Sequence, residues 1–136
     1  DFFNSDYMFA WINMAMIHTD RLFYAYTKSL KYWLKYREYV DRLDNFVLTA
    51  SFGGRDDAMI AEHNLRSTKV VFSESEAANL DLAIDHDDSH AARPSISGQD
   101  FALLVHGTQP KGSEAAGALK KLKGKGSYSR KRKEKV

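Results

Sequence analysis

A chain of 136 residues suits one domain, or one domain carrying a tail. Its 43% hydrophobic and 28% charged residues are the balance of a globular protein, which excludes disorder throughout. The lack of cysteine removes disulfides and zinc–thiolate sites, and the net charge of +2 hides −6 in residues 1–110 against +8 in residues 111–136.

The apolar material is front-loaded. Eleven of the seventeen aromatic residues lie between Phe2 and Tyr36. Phe23, Tyr26, Leu30, Trp33, Tyr36, Val40, Leu43 and Val47 follow one another at steps of three or four, the stripe of an amphipathic helix. With no Gly or Pro to interrupt it, the spacing predicts one long helix over 5–48. Ser5 is its N-cap, and a break near residues 18–20 is the alternative to an unbroken rod. The run Tyr7–Ile17 falls short of the roughly 20 apolar residues of a membrane span. Asp1 and Asp6 stand where a secretory signal would carry basic residues. The expectation is therefore a soluble, non-secreted protein of the cytoplasm, the nucleus or a particle.

Ser51-Phe52-Gly53-Gly54 ends the long helix with a turn. Residues 56–66 suggest a short helix, and β-branched 68–72 a short strand or extended loop. Ser73 and Glu76 match a capping box before a helix over about 74–85. Residues 85–98 read as loop, and 99–106 as either a buried strand or a helical turn. Residues 107–112 form a linker, 113–122 a short Ala-rich helix, and 123–136 a basic tail expected to lack fixed structure unless bound. The predicted fold is mainly α. It has one long N-terminal amphipathic helix, two or three shorter helices and at most one extended segment. The organisation is a helical body at 1–106, the linker, and a helix with tail at 113–136.

Three features invite a functional reading. The tail residues Lys120, Lys121, Lys123, Lys125, Arg130, Lys131, Arg132 and Lys133 would neutralise phosphates and release counterions, with Tyr128 available to stack on a base. This composition also suits a solubilising tail, a nuclear-import signal or a segment that pairs with acidic surface. Arg21, Lys28, Lys35 and Arg42 recur every seven residues, along one side of the expected helix. Such a row more often is a solvated helix face than a track for nucleic acid or anionic lipid. Trp11, Phe23, Tyr26, Leu30, Trp33 and Val40 would form either core or an interface hot spot for another protein subunit.

Other patterns fail chemically. Gly124-Lys125-Gly126-Ser127 is no phosphate loop, because position 119 is Leu and Gly126 separates the lysine from the serine. His86 and His90 share a helical spacing, yet the acidic run around them reads as loop, so no metal is expected. No nucleophile, base and orienting acid stand out, and no cofactor is implied. The expected function is non-enzymatic: a structural or accessory subunit, docked through the aromatic helix and touching nucleic acid through its tail. The alternatives are a protein-only adaptor and a peripheral membrane-surface protein.

Overall fold

The computed structural model describes residues 1–93, 100–122 and 125–127. The expected long helix is absent. In its place stand α1 (Ser5–Ile17), β1 (Phe23–Thr27), α2 (Leu30–Lys35), α3 (Arg37–Arg42) and β2 (Phe46–Ser51). They are followed by α4 (Ala58–Glu62), β3 (Ser67–Val71), α5 (Glu74–Asn79), β4 (Ala83–Ile84), α6 (Ser89–Ala92), β5 (Phe101–Leu104) and α7 (Glu114–Leu122). The five strands form one parallel sheet of order β1-β2-β3-β5-β4, so the fold is α/β rather than mainly α.

Local chemistry explains the breaks. Asn4, rather than Ser5, caps α1: its side-chain oxygen accepts from the Tyr7 N–H at 2.7 Å. The helix stops at Ile17, where the His18 N–H closes on the Met14 carbonyl. Asn45 then secures the connection to β1. Its Nδ2 lies 2.9 Å from the Ala15 carbonyl oxygen, 3.1 Å from that of His18 and 3.0 Å from that of Arg21. The Phe23-Tyr-Ala-Tyr-Thr27 run is rich in strand formers, and it pairs in register from Phe23↔Phe46 to Thr27↔Ala50.

The helical spacing is real from Leu30 to Val40 but breaks at Tyr36. There one short helix ends and another begins, with Leu30, Trp33 and Val40 buried. Extending the stripe back to Phe23 and on to Val47 joined two helices to two strands. Residues 101–104 resolve as a strand with every residue buried, the continuous apolar run of a parallel strand.

The described residues fall into two compact units, residues 1–68 with 90–93, and residues 69–89 with 100–122 and 125–127. In the first, Met8, Ile12 and Ala15 of α1 join Leu30, Trp33, Val40, Phe46, Leu48, Ala50, Ile60 and Leu65 in one core. Each such large side chain contributes about 1.5–3 kcal/mol. Arg66 reaches the Thr49 hydroxyl at 2.9 Å and the His90 carbonyl. In the second unit, Val71, Ala77, Ala102 and Leu104 form a smaller core, flanked by Leu82 and Ile84. The Ser73 hydroxyl accepts from the Glu76 N–H at 3.1 Å, while the Glu76 carboxylate accepts from the Phe72 N–H at 2.8 Å. Strand β3 belongs to both units: Ser67 and Thr68 pair with β2, and the Val71 carbonyl accepts from Val105.

Candidate anion-binding site

Ligands of open parallel sheets gather outside the carboxyl ends of the strands. At the ends of β1 and β2 lies a cleft of about 390 Å3, walled by Asp1, Phe2, Lys28, Ser29, Lys31, Tyr32, Gly54, Arg55 and Asp56.

Its central cation is Lys28, the residue directly after β1. The turn after β2 shapes the space around the lysine stem. A Cβ built on Gly54 would lie 3.1 Å from Lys28 Cβ and 3.4 Å from Cγ; one on Gly53 would lie 3.6 Å from Cε. Gly53 also has φ +106°, a conformation that side-chain-bearing residues rarely adopt. The Asp57 carboxylate fixes this turn by accepting the Gly54 N–H at 3.0 Å and the Gly53 N–H at 3.0 and 3.2 Å. The stem of Lys28 thus runs along bare backbone, and its ammonium donates to Ser51 Oγ at 2.8 Å.

Asp1 organises the opposite wall. Its Oδ1 accepts from the Thr27 hydroxyl at 2.7 Å and the Ser29 hydroxyl at 3.0 Å. Its Oδ2 accepts from the Lys28 N–H at 2.8 Å. This carboxylate is therefore committed to holding the loop after β1. Lys28, Lys31 and Arg55 form no ion pair among the described residues. Their three positive charges exceed those of Asp1 and Asp56 by one, which favours an anionic ligand.

The expected site residues scatter. The heptad row is not one surface: Arg21 precedes β1, Lys28 follows it, Lys35 ends α2 and Arg42 ends α3. Only Lys28 of the four enters the basic cleft. Lys35 instead donates to Ser5 Oγ at 3.3 Å and sits 5.3 Å from the Tyr36 ring centre. Of the aromatic set, Trp11 lies on α1, Phe23 and Tyr26 on β1, and Leu30, Trp33 and Val40 in the core, so no single helix face carries them. Lys120 and Lys121 close α7, and the Lys125 N–H donates to the Leu122 carbonyl at 2.8 Å. Lys123, Tyr128, Arg130, Lys131, Arg132 and Lys133 lie outside the described residues.

A second cleft adjoins the first, sharing Asp1 and Phe2 on its wall. It has a volume of about 410 Å3 and is lined by Tyr7 and Trp11 of α1 and by Leu22–Tyr26 along β1, with Phe46. In the other unit, His86 Nδ1 meets Ser127 Oγ at 2.7 Å, and Asp85 beside it is fully buried. Sequence reasoning passed over Asp1, Ser51, Arg55 and Asp57. The available signal was an apolar, β-branched run, 46–50, leading straight into Ser51-Phe-Gly-Gly54, the pattern of a strand that ends in a functional turn.

Among the described residues no group of three or more His, Asp or Glu is placed to hold a metal ion. No helix among them is long and apolar enough to cross a membrane. No curated protein and no solved structure matches the chain. The sequence pattern of the family described as Gene product 88 matches residues 1–125, nearly the whole length, and on that match the chain belongs to the Gene product 88 family.

Proposed function

We propose that the chain binds a phosphate-bearing ligand in the cleft at the carboxyl ends of β1 and β2. One observation carries this reading: Lys28 is pre-positioned, its stem laid along Gly53-Gly54 and its ammonium on Ser51, without a carboxylate partner. A cation held in place loses little freedom on binding, and a charge-assisted hydrogen bond to phosphate is stronger than a neutral one. Arg55 and Lys31 supply further donors on the cleft wall. The reading is of binding, in keeping with a non-enzymatic role.

Calorimetric titration with pyrophosphate tests it. Lys28→Met keeps most of the stem and removes the charge, so affinity should fall about 10- to 100-fold, the weight of one hydrogen bond to a charged group. Equal affinity in the two proteins would remove Lys28 from the site. No pyrophosphate binding at low salt would remove the site itself.

The charge division supports a second reading, contact with nucleic acid through the C-terminal basic residues. The +8 of residues 111–136 exceeds what one small anion requires. Deleting residues 128–136 should lower nucleic-acid affinity and flatten its salt dependence; an unchanged salt slope would refute this reading.

A further inference from the structure

The basic cleft and the aromatic cleft meet at Asp1 and Phe2, which stand on the walls of both. One side of this pair offers cations; the other offers ring faces. Tyr7 is 37% exposed, Trp11 38% and Tyr24 42%. These rings are not buried as core, yet Tyr7 and Trp11 are held in a connected set with Phe23. The Tyr7 and Trp11 ring centres lie 6.4 Å apart at an interplanar angle of 89°, and those of Trp11 and Phe23 6.1 Å apart at 53°. Phe3 stacks on Tyr7 at 4.5 Å from outside. Exposed aromatic rings beside a cationic groove are the two components of single-strand recognition: charges follow the phosphates, and bases stack on the rings.

We infer that the two clefts together take one nucleotide unit of a single-stranded nucleic acid, its phosphate at Lys28 and Arg55 and its base against Tyr7 and Trp11. The inference rests on the phosphate site proposed above and adds the identity of its ligand. A duplex keeps its bases stacked on one another and offers none to the rings. A free nucleotide would meet the same groups. The single strand is the committed ligand because the chain also carries +8 in residues 111–136, far more charge than one nucleotide requires.

The chain has two tryptophans, and Trp33 is only 6% exposed, so quenching of fluorescence by a stacked base reports on Trp11. The full chain is titrated with pyrophosphate, thymidine monophosphate, an eight-residue oligothymidylate, and a duplex of the same length. The oligothymidylate should quench Trp11 and bind more tightly than either small ligand, and the duplex should give no quench. Trp11→Ala and Tyr7→Ala, followed by calorimetry, should each weaken the oligothymidylate about tenfold, while pyrophosphate affinity stays as in the parent. Two variants are used so that misfolding of either, visible by circular dichroism, leaves the other decisive.

If pyrophosphate binds through Lys28 but the oligothymidylate brings neither quench nor extra affinity, the nucleotide inference falls and the phosphate site stands. The same holds if the oligothymidylate binds with its affinity unmoved by both ring variants, which would place it on the basic tail alone. Equal affinity for monophosphate and oligomer would overturn the single strand as the ligand. Failure of pyrophosphate to bind would remove the underlying reading.

Discussion

Replacing Asn45 by Ala should loosen the first unit at one definable point. The Asn45 Nδ2 group faces three carbonyl oxygens, those of Ala15, His18 and Arg21, at 2.9–3.1 Å. It has two hydrogens, so two bonds are well formed and the third carbonyl shares one of them. Alanine removes both. Each neutral hydrogen bond contributes about 1 kcal/mol net, so the loss is about 2 kcal/mol. Since Asn45 is partly buried and the Arg21 bond is exposed, water replaces some of it, and larger losses are not expected. For a chain of this length 1 kcal/mol corresponds to about 3–4 °C, so Tm should drop by about 6–8 °C. Asn45→Asp should cost more, because it turns a carboxylate toward three carbonyl oxygens. Thermal melts followed by circular dichroism, with urea titrations to confirm an unchanged m-value, measure both. A shift under about 2 °C for Asn45→Ala, on the same scale, would show that Asn45 does not hold the α1–β1 connection.

Three other substitutions probe the site and the second unit. Gly54→Ala places a Cβ 3.1 Å from Lys28 Cβ, so the lysine stem must shift. Stability should fall by about 1 kcal/mol, overpacking outweighing the smaller unfolded-state gain from losing a glycine, and pyrophosphate titration should show weaker binding. Asp57→Ala frees the N–H groups of Gly53 and Gly54. Amide exchange at these two positions should quicken, and pyrophosphate affinity should fall although Asp57 carries the wrong charge to touch the anion; increased affinity would mean that its charge matters more than its hydrogen bonds. Ser73→Ala removes the cap of α5 and should cost about 1 kcal/mol in urea titrations.

How far the fold was legible depends on the length of each element. The α5 cap could be read from Ser73 and Glu76 because it is chemistry within four residues. The end of α1 near His18 was visible as a cluster of polar residues. Strands β3 and β5 stood among the readings of 68–72 and 99–106. β1 and β2 were missed for a physical reason: they flank α2 and α3 with apolar residues at intervals that happen to continue a helical stripe. The turns at the two ends of β1 lack Gly and Pro, since Asn45 and Asp1, distant in sequence, supply the hydrogen bonds that hold those turns. Lys28 was noticed for its seven-residue recurrence, which the structure shows to be incidental. Its placement in the cleft comes from Gly53 and Gly54, about twenty-five residues away, and no local pattern announces that approach. The basic tail was the most legible feature as charge.

The path of the chain through the two units has a practical consequence. Each unit is assembled from two separate stretches of sequence, and β3 changes allegiance between Thr68 and Lys69. No single cut therefore releases either unit intact: cleavage after Thr68 divides a strand and leaves residues 90–93 on the wrong fragment. Ordinary truncation, the usual way to assign a function to half of a molecule, would here report the loss of both halves. Point substitutions, and split fragments allowed to reassemble, are the routes by which the contributions of the two halves can be told apart.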